Sequence, residues 1–498
     1  MRPLPTDAVP SAPVAPLLPS GLGVALRPDA HVCDGARSVT GAGADRVLYL
    51  KPQAAAVLRS LPAPADDPVS RRLGRTLIDA GVAEPWWSTA GPGDGEVAAA
   101  GEVSVVVPVR DRSSSLDRLL ASLPAGLPVV VVDDGSADPA RVADVARRHG
   151  ARVVRHEANR GPAAARNTGL RAASTPYVVL CDSDVVPQPG WLGTLRRHLD
   201  DPTVAVAAPR VLGLDVTART GVLGWVEAYE QARSSLDLGP QAAQVRPRSA
   251  VSYVPSACLL VRRTALLARP DADAFDEQLR SGEDVDLVWR LVAAGWRVRY
   301  EPAALVRHDH RTDLVAWARR KAFYGSSAAD LAARHGDVVA PMVLSPWSTV
   351  LAVAVLAQRP WSPPVALAAW AVATLGVSRR LQQRPALPAA AELTTRGAVA
   401  TVNQLAGSLN RHHWPLAALA AARSSRARRA WLVAAVVEGL VDRRRVGATL
   451  HPAAYLVVHC LDDLAYGTGL WWGAARGGSV RSLLPAVVGL PRSSSRRG

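Results

Sequence analysis

Carboxylates gather in three short clusters along the chain: Val-Val-Val-Asp-Asp-Gly-Ser at 130–136, Cys-Asp-Ser-Asp at 181–184 and Gly-Glu-Asp-Val-Asp at 282–286. Two of them follow apolar, strand-like runs, so their acids stand at strand ends, where open α/β sheets hold ligands. Asp133 and Asp134 can accept from a base N–H or a ribose hydroxyl, and Gly135 permits a sharp turn and a close backbone approach. The same residues also read as a plain turn with a cap for the helix starting at Asp138-Pro139. Asp182 and Asp184 share one side of the chain if it stays extended. Two carboxylates beside a diphosphate repel unless a cation lies between them, and Mg2+ or Mn2+ held by carboxylate and phosphate oxygens meets that need. Glu283 and Asp284 stand at or just before the start of a helix over 285–294, where the dipole favours negative charge. Capping is one role for them; a general base that deprotonates an acceptor hydroxyl is the other. Asp286 and Arg290, four residues apart, are spaced as an ion pair. The stretch Asn159-Arg160-Gly161-Pro162-Ala163-Ala164-Ala165-Arg166-Asn167-Thr168-Gly169 suits a tight loop and a close-packed helix near phosphate. Arg166 in it either grips a nucleotide diphosphate with its planar fork or forms a structural ion pair.

These residues need a sheet to position them. Val103 to Val107, Val129 to Val132, Ala151 to Arg155 and Tyr177 to Leu180 read as short apolar strands, with helices such as Ser115 to Leu123 and Pro139 to His149 between them. Such alternation predicts a mainly parallel sheet with helical crossovers over 102–325. Before it come a flexible leader (1–20), a small α/β or winged-helix-like unit (21–90) and a Gly/Ala-rich linker (91–101). After it, a helical, apolar region (326–490) ends in a Ser/Arg-rich tail (491–498) expected to be disordered. Within that region, Met342 to Gln358 and Pro363 to Ser378 carry no charge and approach the length of a bilayer span. A two-pass or interfacial hairpin on the cytoplasmic side of a membrane is one expectation, and buried helices of a cytoplasmic protein the other. The Arg runs at 426–429 and 443–445 suit anionic headgroups or a solvated face.

The chain has 498 residues and a formal net charge of +15, which raises nucleic acid as a partner. Lysine occurs only at 51 and 321, however, so the charge reflects an arginine-biased composition, and no zinc-finger, basic-zipper or RNA-binding signature is present. Nucleic acid is therefore not expected as a partner. Cys33, Cys181, Cys258 and Cys460 are far apart without metal-ligand spacing, which points to a reducing compartment.

The ordered motifs VVVPVRDR, VVVDDGS, NRGPAAARNTG, CDSD and GEDVDLVWR over 103–311 resemble the family-2 glycosyltransferases. The resemblance implies a GT-A (Rossmann-like) fold and a nucleotide-diphosphate sugar as donor. It implies that Pro108, Val109, Arg110, Asp133 and Asp134 border the nucleotide base, with Arg166 near the nucleotide. Asp184 would bind Mn2+ or Mg2+ with help from Asp182, and Asp284 would be the base of an inverting single displacement, supported by Glu283, Asp286 and Arg290. A histidine about two dozen residues past the base completes the metal site in similar transferases, which implies His308, with His310 as its competitor. The start LPSGLGVALRPDAHVCDG, the segment LIDAGVAEP and the stretch HDHRTDLVAWARRKAFYGSSAADLAARHG are similar to glycosyltransferases of the mycofactocin system. That narrower resemblance implies UDP-glucose as donor and, as acceptor, the peptide-derived redox cofactor premycofactocin or its growing glucan. A membrane enzyme acting on a lipid carrier or cell-wall glycan, and a non-catalytic nucleotide-sugar-binding scaffold, are the alternatives. The Gln-x-x-Arg-Trp element of processive synthases is absent; Trp317, Arg319, Arg320 and Lys321 stand in a comparable place in another order. A short oligosaccharide is the expected product.

Overall fold

The computed structural model describes residues 9–41, 47–89, 91–214, 221–268, 272–309, 313–381 and 386–488. It divides into two compact units: residues 1–217 with 233–310, and residues 218–232 with 311–498.

The first unit is built on one mixed sheet. Its strands are β1 (Val103–Val109), β2 (Val129–Asp134), β3 (Arg152–His156), β4 (Tyr177–Cys181), β5 (Val185–Pro187), β6 (Val204–Gly213), β7 (Ala243–Gln244), β8 (Cys258–Arg262) and β9 (Arg297–His308). The order is β5-β9-β6-β8-β4-β1-β2-β3, with β7 added on β9. Strands β3, β2, β1 and β4 run parallel, as the alternating pattern predicts. Beyond β4 the sheet changes sense: β8 is antiparallel to β4 and β6, while β6 and β9 are parallel. Valine dominates β1 and β2 because β-branched side chains suit a pleat buried on both faces, and Val105, Val106, Val107, Val131 and Val132 are fully buried. The parallel arrangement brings the C-terminal ends of β1, β2 and β4 to one edge, and with them the loops at 110–112, 135–137 and 182–184. Helix α1 (Pro162–Ala172) packs onto β1 and β2. A Cβ at Gly169 would lie 2.1 Å from a Val106 methyl, so only glycine allows that approach.

The N-terminal segment has a core of its own around Leu18, Val24, Leu73 and Leu77. It holds two three-stranded sheets and two helices of eight residues or more, Pro52–Arg59 and Pro68–Asp79. Paired charge links it to the large sheet: buried Arg75 reaches Asp201 at 2.7 Å, and half-buried Arg297 reaches Asp79 at 2.7 Å. The expected leader is packed from residue 9 onward, because Leu18 is fully buried and Trp296 donates to the Pro10 carbonyl at 2.6 Å. The expected linker contains a helix, Asp94–Ala99, where Asp94 accepts from the backbone of Gly190 and Gly193 at 2.8 Å each. The tail at 491–498 lies outside the described residues.

The second unit is helical: Gly221–Arg233, then α3 (Leu314–Ser326), α4 (Pro346–Ala357), α5 (Ser362–Ser378), α6 (Ala386–Gly407), α7 (Trp414–Arg423), α8 (Ser425–Val446) and α9 (Pro452–Gly477). Its polar interior joins Trp317, Lys321, Glu230, Tyr229, His459 and Asp462; Lys321 meets Glu230 at 2.7 Å and Trp317 donates to Glu230 at 2.8 Å. Among the described residues no helix is long and apolar enough to cross a membrane. The two-pass expectation for 342–378 therefore falls: α4 has 12 residues and α5 has 17, short of the roughly 20 that a span needs.

Candidate active site

Strand β4 ends at Cys181, and the next three residues turn, with Val185 N–H donating to the Asp182 carbonyl at 3.1 Å. The extended geometry that would align Asp182 and Asp184 is thus lost, and the two carboxylates take different partners. The turn feeds β5, whose Val185 pairs with His308 at the end of β9. That pairing brings His308 Nε2 to 3.4 Å from Asp184 Oδ1. The other Asp184 oxygen accepts from Arg112. His310 lies outside the described residues.

Asp182 is held by Arg166, whose Nη2 donates to Asp182 Oδ1 at 2.7 Å while Nη1 donates to Glu283 Oε1 at 3.0 Å. The Arg166 side chain is only 4% exposed and its guanidinium lies 5.6 Å from the Phe275 ring centre. Of the two roles expected for Arg166, the ion pair is the one seen: it fixes one acid from each of two clusters. Asn167 beside it clamps the 274–277 loop, accepting from Ala274 and Phe275 N–H and donating to the Phe275 carbonyl.

Helix α2 (Glu283–Ala293) starts after Gly282, which takes a left-handed conformation at φ 80°. Asp284 accepts from Ser256 N–H at 3.1 Å and from Val285 N–H at 2.8 Å, and is only partly exposed. Loss of solvent raises its carboxyl above the usual range, opposed by the Ser256 N–H and by Arg166. Loss of solvent and the neighbouring Asp284 push Glu283 up to about 7. Asp286 and Arg290 form the expected pair at 2.8 Å, and Arg290 also donates to the Ala274 carbonyl.

At the β1 and β2 ends, Asp133 and Asp134 are buried within β2 rather than beyond it. Asp133 accepts from Ser136 N–H at 2.9 Å and pairs with Arg155 at 2.6 Å. Asp134 takes His156 at 2.8 Å and the backbone N–H groups of Arg160 and Gly161 at 2.9 and 2.8 Å. Both acids thus shape the nearby loops with their own oxygens. Gly135 turns at φ 72°, and a Cβ there would lie 2.6 Å from Asn159 N. Pro108 is half-buried, Val109 buried and Arg110 exposed.

The Glycosyl transferase family 2 model matches residues 104–266. The pre-mycofactocin glycosyltransferase of Mycobacterium tuberculosis is 44% identical over 481 residues, covering 94% of this chain and 98% of its own length. The chain belongs to glycosyltransferase family 2. The succinoglycan biosynthesis protein ExoU of Rhizobium meliloti is 30% identical over 41% of this chain and 60% of its own. A mannosyltransferase of Pyrobaculum calidifontis, solved with GDP-Man and Mn2+, is 22% identical over 63% of this chain and 84% of its own, with a TM-score of 0.36.

In this family-2 enzyme the sheet is the GT-A arrangement, and the donor set can be tested against a divalent ion. Asp184 Oδ1 and His308 Nε2 stand 3.4 Å apart, close to the roughly 3 Å between neighbouring ligands on an octahedral ion with bonds of about 2.1 Å. A carboxylate oxygen with an imidazole nitrogen suits Mn2+ better than Mg2+. The pair fits such an ion. Among the described residues, the one group of three acidic or histidine side chains with ligand atoms within 4.8 Å of one another is Glu438, His459 and Asp463 in the second unit. Those side chains serve each other and Arg411, with His459 at 2.8 Å from Glu438 and Arg411 at 2.7 Å from Asp463.

Sequence reasoning missed Arg112, Asp111 and Ser256. Asp111 and Arg112 lie inside the VVVPVRDR motif, one and two residues past the last position assigned there. Asp111 has φ 56°, accepts from Ala137 N–H at 2.7 Å and donates its own N–H to Ser136 Oγ at 3.0 Å, tying the β1 loop to the β2 loop. Nothing local marks Ser256.

Proposed function

We propose that the enzyme transfers glucose from UDP-glucose, with inversion, onto premycofactocin and extends it into a short glucan. The observation that carries the acceptor is the 44% identity to a pre-mycofactocin glycosyltransferase along 98% of that protein's length; UDP-glucose, inversion and the short glucan are what the motif resemblance implies. The site's chemistry supports it. Asp284, placed at a helix start and raised by desolvation, takes the acceptor hydroxyl proton as that oxygen attacks the sugar. Arg166 keeps Asp182 and Glu283 in register on either side of that step. Arg112, Asp184 and His308 face the donor diphosphate, and Pro108 to Arg110 and the end of β2 at Asp133 and Asp134 border the nucleoside. Asp184 and His308 would hold Mn2+ or Mg2+, which supplies charge stabilisation for the leaving nucleotide.

A panel of nucleotide sugars with Mn2+, offered with premycofactocin, a polyprenyl phosphate or no acceptor and read by mass spectrometry, tests the proposal. Stepwise hexose additions are expected only with UDP-glucose and premycofactocin, and chelation of the metal should stop them. A hexose appearing only on the polyprenyl phosphate would overturn the acceptor assignment and favour the lipid-carrier alternative.

A further inference from the structure

The second unit exposes apolar side chains that neither the fold nor the transfer reaction uses. They are concentrated on α4 to α8: Leu367 is 64% exposed, Val372 69%, Leu432 58%, Val433 61% and Val437 51%. Helices α4 and α5 carry no charged residue at all. Helix α5 packs on α4 and α6, and α6 packs on α8, so these helices are connected through α6. Exposed apolar surface of this extent marks an interaction site.

Helix α8 states the chemistry of the partner. Arg426, Val433, Val437 and Arg444 are spaced seven, four and seven residues apart, which puts them on one helix face. All four are exposed. The acids of this helix point away from that face: Glu438 meets His459 at 2.8 Å, and Asp442 accepts from Tyr455 Oη at 2.8 Å. The outer face is therefore apolar in the middle and cationic at both ends, with Arg429 beside Arg426 adding to the first end. The stretch from Ala430 to Val441, apolar apart from Glu438, is about 18 Å long at 1.5 Å per residue, too short to cross a bilayer of roughly 30 Å but suited to lying in its surface.

We infer that the exposed face of α8, with the uncharged helices α4 and α5, docks the enzyme on an anionic phospholipid surface. Valine and leucine enter the acyl boundary, and the flanking arginines meet phosphate headgroups. A second copy of the chain fits this face poorly. In a twofold contact through α8, parallel or antiparallel, arginine clusters meet arginine clusters, and like charges at an interface disfavour it.

Flotation of the purified full-length chain with vesicles tests this. Vesicles of equimolar phosphatidylcholine and phosphatidylglycerol should carry the protein up the gradient, while pure phosphatidylcholine should carry little. Val433→Asp with Val437→Asp should lower partitioning roughly tenfold, and so should Arg426→Gln with Arg429→Gln and Arg444→Gln. Thermal melting and hydrolysis of the nucleotide sugar should stay unchanged in both variants, since every substituted side chain is exposed and outside the active site. Equal flotation on the two lipid compositions overturns the inference, as does wild-type flotation by the valine variant. Failure to float, with or without a dimer in sedimentation velocity, also overturns it, and a dimer would assign the face to a second copy.

Discussion

Asp284→Asn is expected to lower transfer by about 10²- to 10⁴-fold, the usual worth of a positioned general base, while binding of the nucleotide sugar is retained. The change is nearly isosteric and removes the one carboxylate that stands at the start of α2 with both oxygens oriented by backbone N–H groups, those of Ser256 and Val285. An amide can serve only one of these donors through its oxygen; its NH2 cannot take up a proton. Binding of UDP-glucose by calorimetry and transfer by mass spectrometry separate the two effects, and normal turnover by the variant would falsify the base assignment. The pH profile supplies a second check. Desolvation raises the Asp284 carboxyl, and the ionised form is the base, so activity should rise with pH along a limb lying above the ordinary aspartate value of about 3.9. Because Glu283 and Asp284 are neighbours, that limb belongs to the pair.

Glu283→Gln serves as the matched control. Its carboxyl is pushed from 4.5 up to about 7, so between those values the folded state binds more protons than the unfolded state. Stability from this group is therefore full below pH 4.5 and is lost as pH rises through about 7. Glutamine keeps an oxygen for Arg166 and removes the titration, so melting temperature should fall less between pH 5 and pH 8 in the variant than in the wild type. Parallel pH dependence of the two proteins would show that Glu283 does not titrate there.

The parts of this site that lie next to each other in sequence were legible, and those joined across the fold were not. Uninterrupted valine runs reveal β1 and β2 because a doubly buried strand admits little else. Strands β6 and β9 are broken by Pro209, Arg210, Glu301 and Pro302, so no period of two marks them, and the mixed half of the sheet follows from pairings that no local pattern encodes. The meeting of His308 with Asp184 depends on one of these, the β5–β9 pairing. The resemblance supplied His308 by spacing; the pairing explains it. Arg166 was noticed for its type and an ion pair was one of its two readings, but its partners, 16 and 117 residues away, are not marked by any local pattern. The apolar runs at 342–378 gave composition without length: Gln358 ends α4 in a left-handed conformation, leaving two short helices where a span would need one long one.

Arg166→Leu should be the most damaging single substitution in the sheet's active edge. Its guanidinium is buried between Asp182 Oδ1 at 2.7 Å and Glu283 Oε1 at 3.0 Å. Leucine removes the cation and leaves both acids near an apolar side chain, and breaking a buried pair in this way costs about 3–5 kcal/mol. Loss of transfer should accompany it, since Asp182 and α2 lose their common anchor. The penalty should depend on pH with a definite sign. Arg166 opposes protonation of Asp182 and Glu283, so without it both acids take up protons more readily in the folded state. At low pH they are neutral and the missing cation matters little; as pH rises, charging them in place becomes costly, and the deficit relative to wild type widens. Arg166→Lys should recover part of the stability but little transfer, because an ammonium keeps the charge yet lacks the planar fork that spans two carboxylates. Urea unfolding of the three proteins at pH 5 and pH 8 reads this directly. A deficit for Arg166→Leu that is equal at both pH values would mean that packing against Phe275, rather than charge, is what Arg166 contributes.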